Sequence, residues 1–261
     1  VSPRTGRAVS RAAGEPFADR LLALPGFLLG SQGGLSEGDI RKGFDLYETD
    51  IQRTKDGVFV IVHDETLDRE TTGQGHAADL TVQDLKALTK RYRDGSLSEE
   101  KVATLEELLL AGKGRIRFKA DLKPGLDAHI DELARLLHRL GMVDQVYLRC
   151  SRKEATAIEK AFASGTPKIE LMVKVDTVEQ VRDITARFSP ETIQINVEKD
   201  EILSPSKIEA IQTAVKLGLL VETHSYGDPA QRDALIEAGV RMFHTAIPDE
   251  TLAWLREKGW R

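Results

Sequence analysis

The stretch Asp45-Leu-Tyr-Glu48-Thr-Asp50-Ile-Gln-Arg-Thr-Lys55-Asp-Gly57-Val-Phe-Val-Ile-Val-His63-Asp64 sets two extended runs on either side of a turn. Side chains alternate between the two faces of a strand, so Glu48 and Asp50 share a face of the first run. Thr54-Lys55-Asp56-Gly57 has the composition of a hairpin turn, and Val58 to Val62 is apolar and β-branched enough to pair back as a strand. Outward from this hairpin, short β-branched runs alternate with amphipathic stretches. Strands are predicted at 27–30, 45–52, 115–121, 145–149, 168–174, 192–197, 219–223 and 240–245. Helices are predicted at 127–140, 152–163, 177–188, 205–217, 229–238 and 249–258, with Asp176 and Ser204 as N-caps of two of them. Gly141, Gly218 and Gly239 stand where helices need a left-handed residue to stop. Eight strands with intervening helices predict an α/β fold, a (β/α)8 TIM barrel with a small insertion after the second strand, at about 53–112. A doubly wound open sheet is the alternative. Residues 1–16, basic and rich in small side chains, read as a tail, and 17–261 as one domain.

Composition narrows the function. Thirty-seven Lys and Arg against 42 Asp and Glu give a formal charge of −5, so a dedicated nucleic-acid binder is not expected. Cys150 is the single cysteine, which excludes an internal disulfide and a Cys-rich zinc site. No apolar run approaches the roughly 20 residues of a membrane helix. The sequence starts at Val1 rather than Met, which sets an expectation of a periplasmic or secreted protein over a cytoplasmic one. Oligomeric state is left open.

Three places hold side chains suited to chemistry. Two carboxylates converging inside a barrel repel unless a cation neutralises them, and Glu48 and Asp50 call for a hard, oxygen-preferring ion such as Mg2+ or Ca2+. The plain alternative is an outward, solvated acidic face. His63-Asp64 closes an apolar strand and is a general acid or base by position, or else a turn histidine at the surface. Asp121-Leu-Lys123 repeats the pattern of a carboxylate at a strand end, with a cation that could hold a phosphate oxygen or simply pair at the surface.

Together these pieces resemble the glycerophosphodiester phosphodiesterase family. The resemblance runs gap-free from Gly43 to Gly75 and combines the E-x-D pair Glu48/Asp50, the turn Lys55-Asp56-Gly57 and the segment His63-Asp64-x-x-Leu67-x-Arg69. It continues in Thr104-Leu-Glu-Glu-Leu108, in Phe118-Lys-Ala-Asp121-Leu-Lys123 and in Gly239-Val-Arg-Met-Phe-His244-Thr245-Ala-Ile-Pro248, so it covers roughly 27–258. It implies a TIM barrel and metal-dependent hydrolysis of a small-molecule phosphodiester to an alcohol and a phosphomonoester. By the same resemblance Glu48, Asp50 and Asp121 hold one divalent cation, His63 is catalytic and Lys123 contacts substrate.

The pattern also breaks. Where the family carries His-Arg-Gly at its first strand, Ser31 and Gln32 stand in the places of the histidine and arginine, which leaves Gln32 as a substrate-binding candidate. Ala246 replaces an aspartate, and Asp121 a more usual glutamate. His224, at the end of the seventh predicted strand, is then the candidate for the missing acid/base function, with His244 behind it; Arg149 is the candidate for the missing phosphate clamp. Two alternatives to hydrolysis stay open: a catalytically silent barrel that binds metal and a phosphate-containing ligand, and a lyase-type relative that forms a cyclic phosphate.

Overall fold

The computed structural model describes residues 44–92, 94–199 and 201–260. The strand predicted at 27–30, with Ser31 and Gln32, lies outside the described residues. In chain order the elements are β1 (Leu46–Arg53), β2 (Phe59–Ile61), α1 (Val82–Ala87), α2 (Leu105–Gly112), β3 (Arg117–Leu122), α3 (Ile130–Leu140), β4 (Val146–Cys150) and α4 (Arg152–Ala163). They continue with β5 (Glu170–Lys174), α5 (Val178–Phe188), β6 (Thr192–Gln194), α6 (Pro205–Lys216), β7 (Leu220–Ser225), α7 (Pro229–Ala238), β8 (Met242–Thr245) and α8 (Pro248–Glu257). From β3 onward every strand is followed by a helix, the alternation of the α/β class. The chain divides into two compact units. One takes 44–148 and 156–169 of the described residues, the other 149–155 and 170–260.

In the first unit the strand order is β2-β1-β3-β4. β1 pairs antiparallel with β2 through Ile51 and Ile61, and parallel with β3 so that Glu48 lies opposite Lys119 and Asp50 opposite Asp121. The turn at 54–57 needs its glycine: Gly57 has φ +87°, and a Cβ there would sit 2.8 Å from the Arg53 guanidinium. Alternation sorts the faces of β1 and β3. Tyr47, Thr49 and Ile51 are buried on one side, and Phe118, Ala120 and Leu122 on the same side of β3, where Tyr47 and Phe118 meet edge to face at 6.0 Å. Each large apolar side chain so buried stabilises the fold by about 1.5–3 kcal/mol. Glu48, Asp50 and Gln52 point the other way. α1 and α2 each open on a threonine capping box, Thr81 with Asp84 and Thr104 with Glu107. Beneath the segment they bracket, Val60, Val62, Leu67, Ala77, Leu85 and Val102 form their own buried cluster.

In the second unit β5, β6, β7 and β8 are parallel neighbours. β6 ends at Gln194, short of the predicted 197. One predicted cap is corrected: Thr177, not Asp176, caps α5, because its hydroxyl reaches the Gln180 N–H while the Asp176 N–H donates to the Gln180 side chain. Ser204 caps α6 ahead of Pro205, as its type and place predict. Gly239 ends α7 at φ +115°, where a Cβ would lie 2.8 Å from Val215. Among the described residues no helix is long and apolar enough to cross a membrane.

Candidate active site

The inner faces of β1 and β3 bring Glu48, Asp50 and Asp121 together, each offering one carboxylate oxygen within 4.8 Å of the others. In-register parallel pairing does this directly, since Asp50 and Asp121 are ladder partners and Glu48 is two residues away on the same face. The next residues on that face of β3 are cations. Lys123 Nζ lies 2.7 Å from Asp50 Oδ1, and Lys119 Nζ 3.8 Å from Asp121 Oδ1. Lys119 is fully buried, a placement that costs several kcal/mol without compensating negative charge. Three carboxylates and two ammonium groups leave a formal charge of −1. An all-oxygen, net-anionic donor set fits a hard divalent cation. A cation of +2 would bring the cluster to +1, the complement of a singly charged phosphodiester.

His63 follows Val62, which is anchored in the buried cluster below it. Its backbone is clasped from two sides. The Gln52 amide on β1 donates to the carbonyls of Val62 (3.3 Å) and Asp64 (2.5 Å), and the Glu70 carboxylate accepts from the N–H groups of His63 (3.3 Å) and Asp64 (2.6 Å). The His63 ring Nδ1 is 2.7 Å from Asp64 Oδ1, and Arg69 holds Asp64 in a two-pronged pair at 2.5 and 2.8 Å. The Arg69 hydrogen bonds, with that from His63, keep the Asp64 carboxyl down at about 2. A carboxylate only accepts, so Nδ1 donates to Asp64 and Nε2 is the ring nitrogen left for a ligand. The ring is 43% exposed, open enough to reach a ligand.

The second unit gathers the other predicted side chains. His224 and His244 are ladder partners on β7 and β8. Their rings meet edge to face at 4.4 Å, with Glu222 beside them. Arg149 donates from Nε to Gln194 Oε1 at 2.9 Å. Ala246 is exposed just past β8.

The model of the glycerophosphoryl diester phosphodiesterase family matches residues 39–250. The chain belongs to that family. A glycerophosphodiester phosphodiesterase of Bacillus subtilis is 26% identical over 225 residues, 78% of this chain and 74% of its own. The crystal structure of a glycerophosphoryl diester phosphodiesterase from Parabacteroides distasonis superposes with a TM-score of 0.72 at 19% identity, covering 91% of this chain and 86% of the other. The fold is thus the (β/α)8 TIM-barrel type that the strand–helix rhythm predicts. A different similarity stands beside these: a DNA repair protein RecO of Caulobacter sp. is 67% identical over 46 residues, 18% of this chain. The chain spans about a fifth of that relative's length.

Within the family's fold, the predicted residues Glu48, Asp50, Asp121 and Lys123 converge, and His63 stands on the loop tied to the same strand by Gln52. Gln32 lies outside the described residues. Four side chains that shape the site carried no role in the sequence reading: Gln52, Arg69, Glu70 and Lys119. A signal for Lys119 exists in Lys119-x-Asp121-x-Lys123, a period of two that puts all three on one face. Glu70 has none, because its role is to accept two backbone N–H groups that only the folded loop brings to it.

Proposed function

We propose that this protein hydrolyses a glycerophosphodiester to an alcohol and a phosphomonoester, in a reaction that depends on one divalent cation, Mg2+ or Ca2+, at Glu48, Asp50 and Asp121. The observation that carries the reading is that carboxylate trio, with Lys123 2.7 Å from Asp50. When bound, such a cation offsets the phosphate charge and acidifies a coordinated oxygen. Lys123 binds a non-bridging phosphate oxygen of the substrate and exchanges its Asp50 contact for it, which leaves the Asp50 carboxylate to the cation. Lys119, without access to solvent, stays with Asp121 and holds the trio's negative charge in check. His63 transfers a proton at Nε2: its Nδ1–H donates to Asp64 throughout, and the anionic Asp64 stabilises the imidazolium as it forms. Arg69 and Glu70 are positioning residues, acting through Asp64 and through the His63 backbone.

The test is phosphorus NMR on a panel of glycerophosphodiesters with Mg2+ or Ca2+. A phosphomonoester resonance that EDTA abolishes is expected. A cyclic phosphate resonance instead would move the reaction to attack by a substrate hydroxyl. No product from any diester would leave a barrel that binds its ligand without turnover and would overturn the reading.

A further inference from the structure

Glu222 and His224 alternate on β7, and His244 is the ladder partner of His224 on β8, so parallel register sets two imidazoles and a carboxylate on one face. One donor atom from each lies within 4.8 Å of the others. Three features set this group apart from exposed polar side chains on a barrel rim. Glu222 is fully buried on the face that it shares with both imidazoles. Its Oε1 is 3.7 Å from His244 Nδ1, too far for a hydrogen bond between them. Yet it is close to the spacing of about 3.3–3.5 Å that two ligands of one tetrahedral ion adopt at about 2.0–2.1 Å from the metal. Finally, His224 Nδ1 lies 3.3 Å from the Tyr226 hydroxyl, the outer contact that fixes which ring nitrogen is turned toward a cation.

We propose that Glu222, His224 and His244 form a second cation site, selective for a divalent transition metal of the Zn2+ or Co2+ kind. Two imidazoles and one carboxylate are a borderline-soft donor set, unlike the all-oxygen trio on β1 and β3. His224, placed by sequence as a proton carrier, is on this geometry a metal ligand. The site shares no residue with the proposed phosphodiester chemistry and stands or falls independently of it.

The probe is Zn2+ itself, titrated calorimetrically into the full chain in excess Mg2+, which keeps the carboxylate trio occupied by its preferred kind of ion. One saturable Zn2+ equivalent is expected, and it should weaken by at least about 100-fold in His224→Asn and in His244→Asn, and by about tenfold in Tyr226→Phe. Where a histidine variant fails to fold, the wild-type protein answers alone: with diethyl pyrocarbonate as the label and mass spectrometry as the readout, Zn2+ should protect His224 and His244 among the six histidines. Absence of saturable Zn2+ binding overturns the proposal. So does protection at His63 in place of the pair, or unchanged affinity in the folded variants. Loss of turnover in His224→Asn with no Zn2+ binding in the wild type would return His224 to proton transfer and overturn the site as well.

Discussion

β1 with β3, and β7 with β8, are built alike: in-register parallel pairs with core side chains on one face and ionisable ones on the other. What differs is the composition of the ionisable face. The first pair carries three carboxylates and two lysines; the second carries one carboxylate and two imidazoles. Strand register therefore decides that donors meet, and side-chain type decides what they can hold. Lysines beside carboxylates make a site whose charge is nearly balanced before any cation enters, and which can exchange a lysine contact for phosphate. Imidazoles beside a buried carboxylate make a site whose affinity rises as the histidines lose their protons.

The sharpest way to break this comparison is at the trio. Asp50→Asn removes a donor and frees Lys123, and turnover should fall by about 10³-fold or more, while Zn2+ binding at β7 and β8 stays as in the wild type. Steady-state kinetics and calorimetry on one preparation check both halves. A fall in both would mean that the two strand pairs are coupled. Next in size is His63→Asn, whose amide N–H stands where Nδ1–H does and keeps the hydrogen bond to Asp64, but which removes proton exchange at Nε2. Its kcat should drop by about 10²–10⁴-fold with little change in KM, read from steady-state kinetics. Lys119→Met tests the balance of charge directly. The substitution preserves volume and removes a positive charge 3.8 Å from Asp121, so Mg2+ or Ca2+ should bind about tenfold more tightly while turnover declines. An unchanged metal affinity would show that Lys119 is compensated elsewhere and plays no part in tuning the trio.

Much of this was legible in residues 45–64 and 115–123. Glu48, Asp50, Asp121 and Lys123 announce themselves because β-strand geometry has a period of two, and that period is visible in the letters. The hairpin is equally plain, since Gly57 and the residues before it suit a left-handed turn. The rest is less so. Which residue caps α5 depended on whether Thr177 or Asp176 faced the helix start, a difference of one rotation along an extended segment. Glu222 reads in sequence as one charge among many in Val221-Glu-Thr-His-Ser225, and only its complete burial and the register of β7 on β8 give it weight. The clasp of Glu70 on His63 joins residues seven apart across a loop with no regular element between them. Period and propensity say nothing about such a contact.

The smallest expected effect concerns Asp64, and it separates positioning from chemistry. Arg69, and behind it His63, hold the Asp64 carboxyl at about 2, below its usual 3.8. Because the folded value is the lower one, this stabilisation is complete above about pH 4 and is lost as pH falls from there through about 2. Across the range in which histidine exchanges protons, Asp64 is therefore always charged, and the orientation of His63 is independent of pH. The full difference corresponds to about 2 kcal/mol, and solvent around the half-exposed Arg69 reduces it to roughly 1 kcal/mol. Asp64→Asn should accordingly lower the folding free energy at neutral pH by roughly 1 kcal/mol, about fivefold in the folding equilibrium, and lose most of that difference near pH 2. Urea unfolding at the two pH values reads it. A stability loss that persists at pH 2 would mean the asparagine disturbs packing rather than charge, and that the Asp64–Arg69 pair contributes shape more than electrostatics to the loop that carries His63.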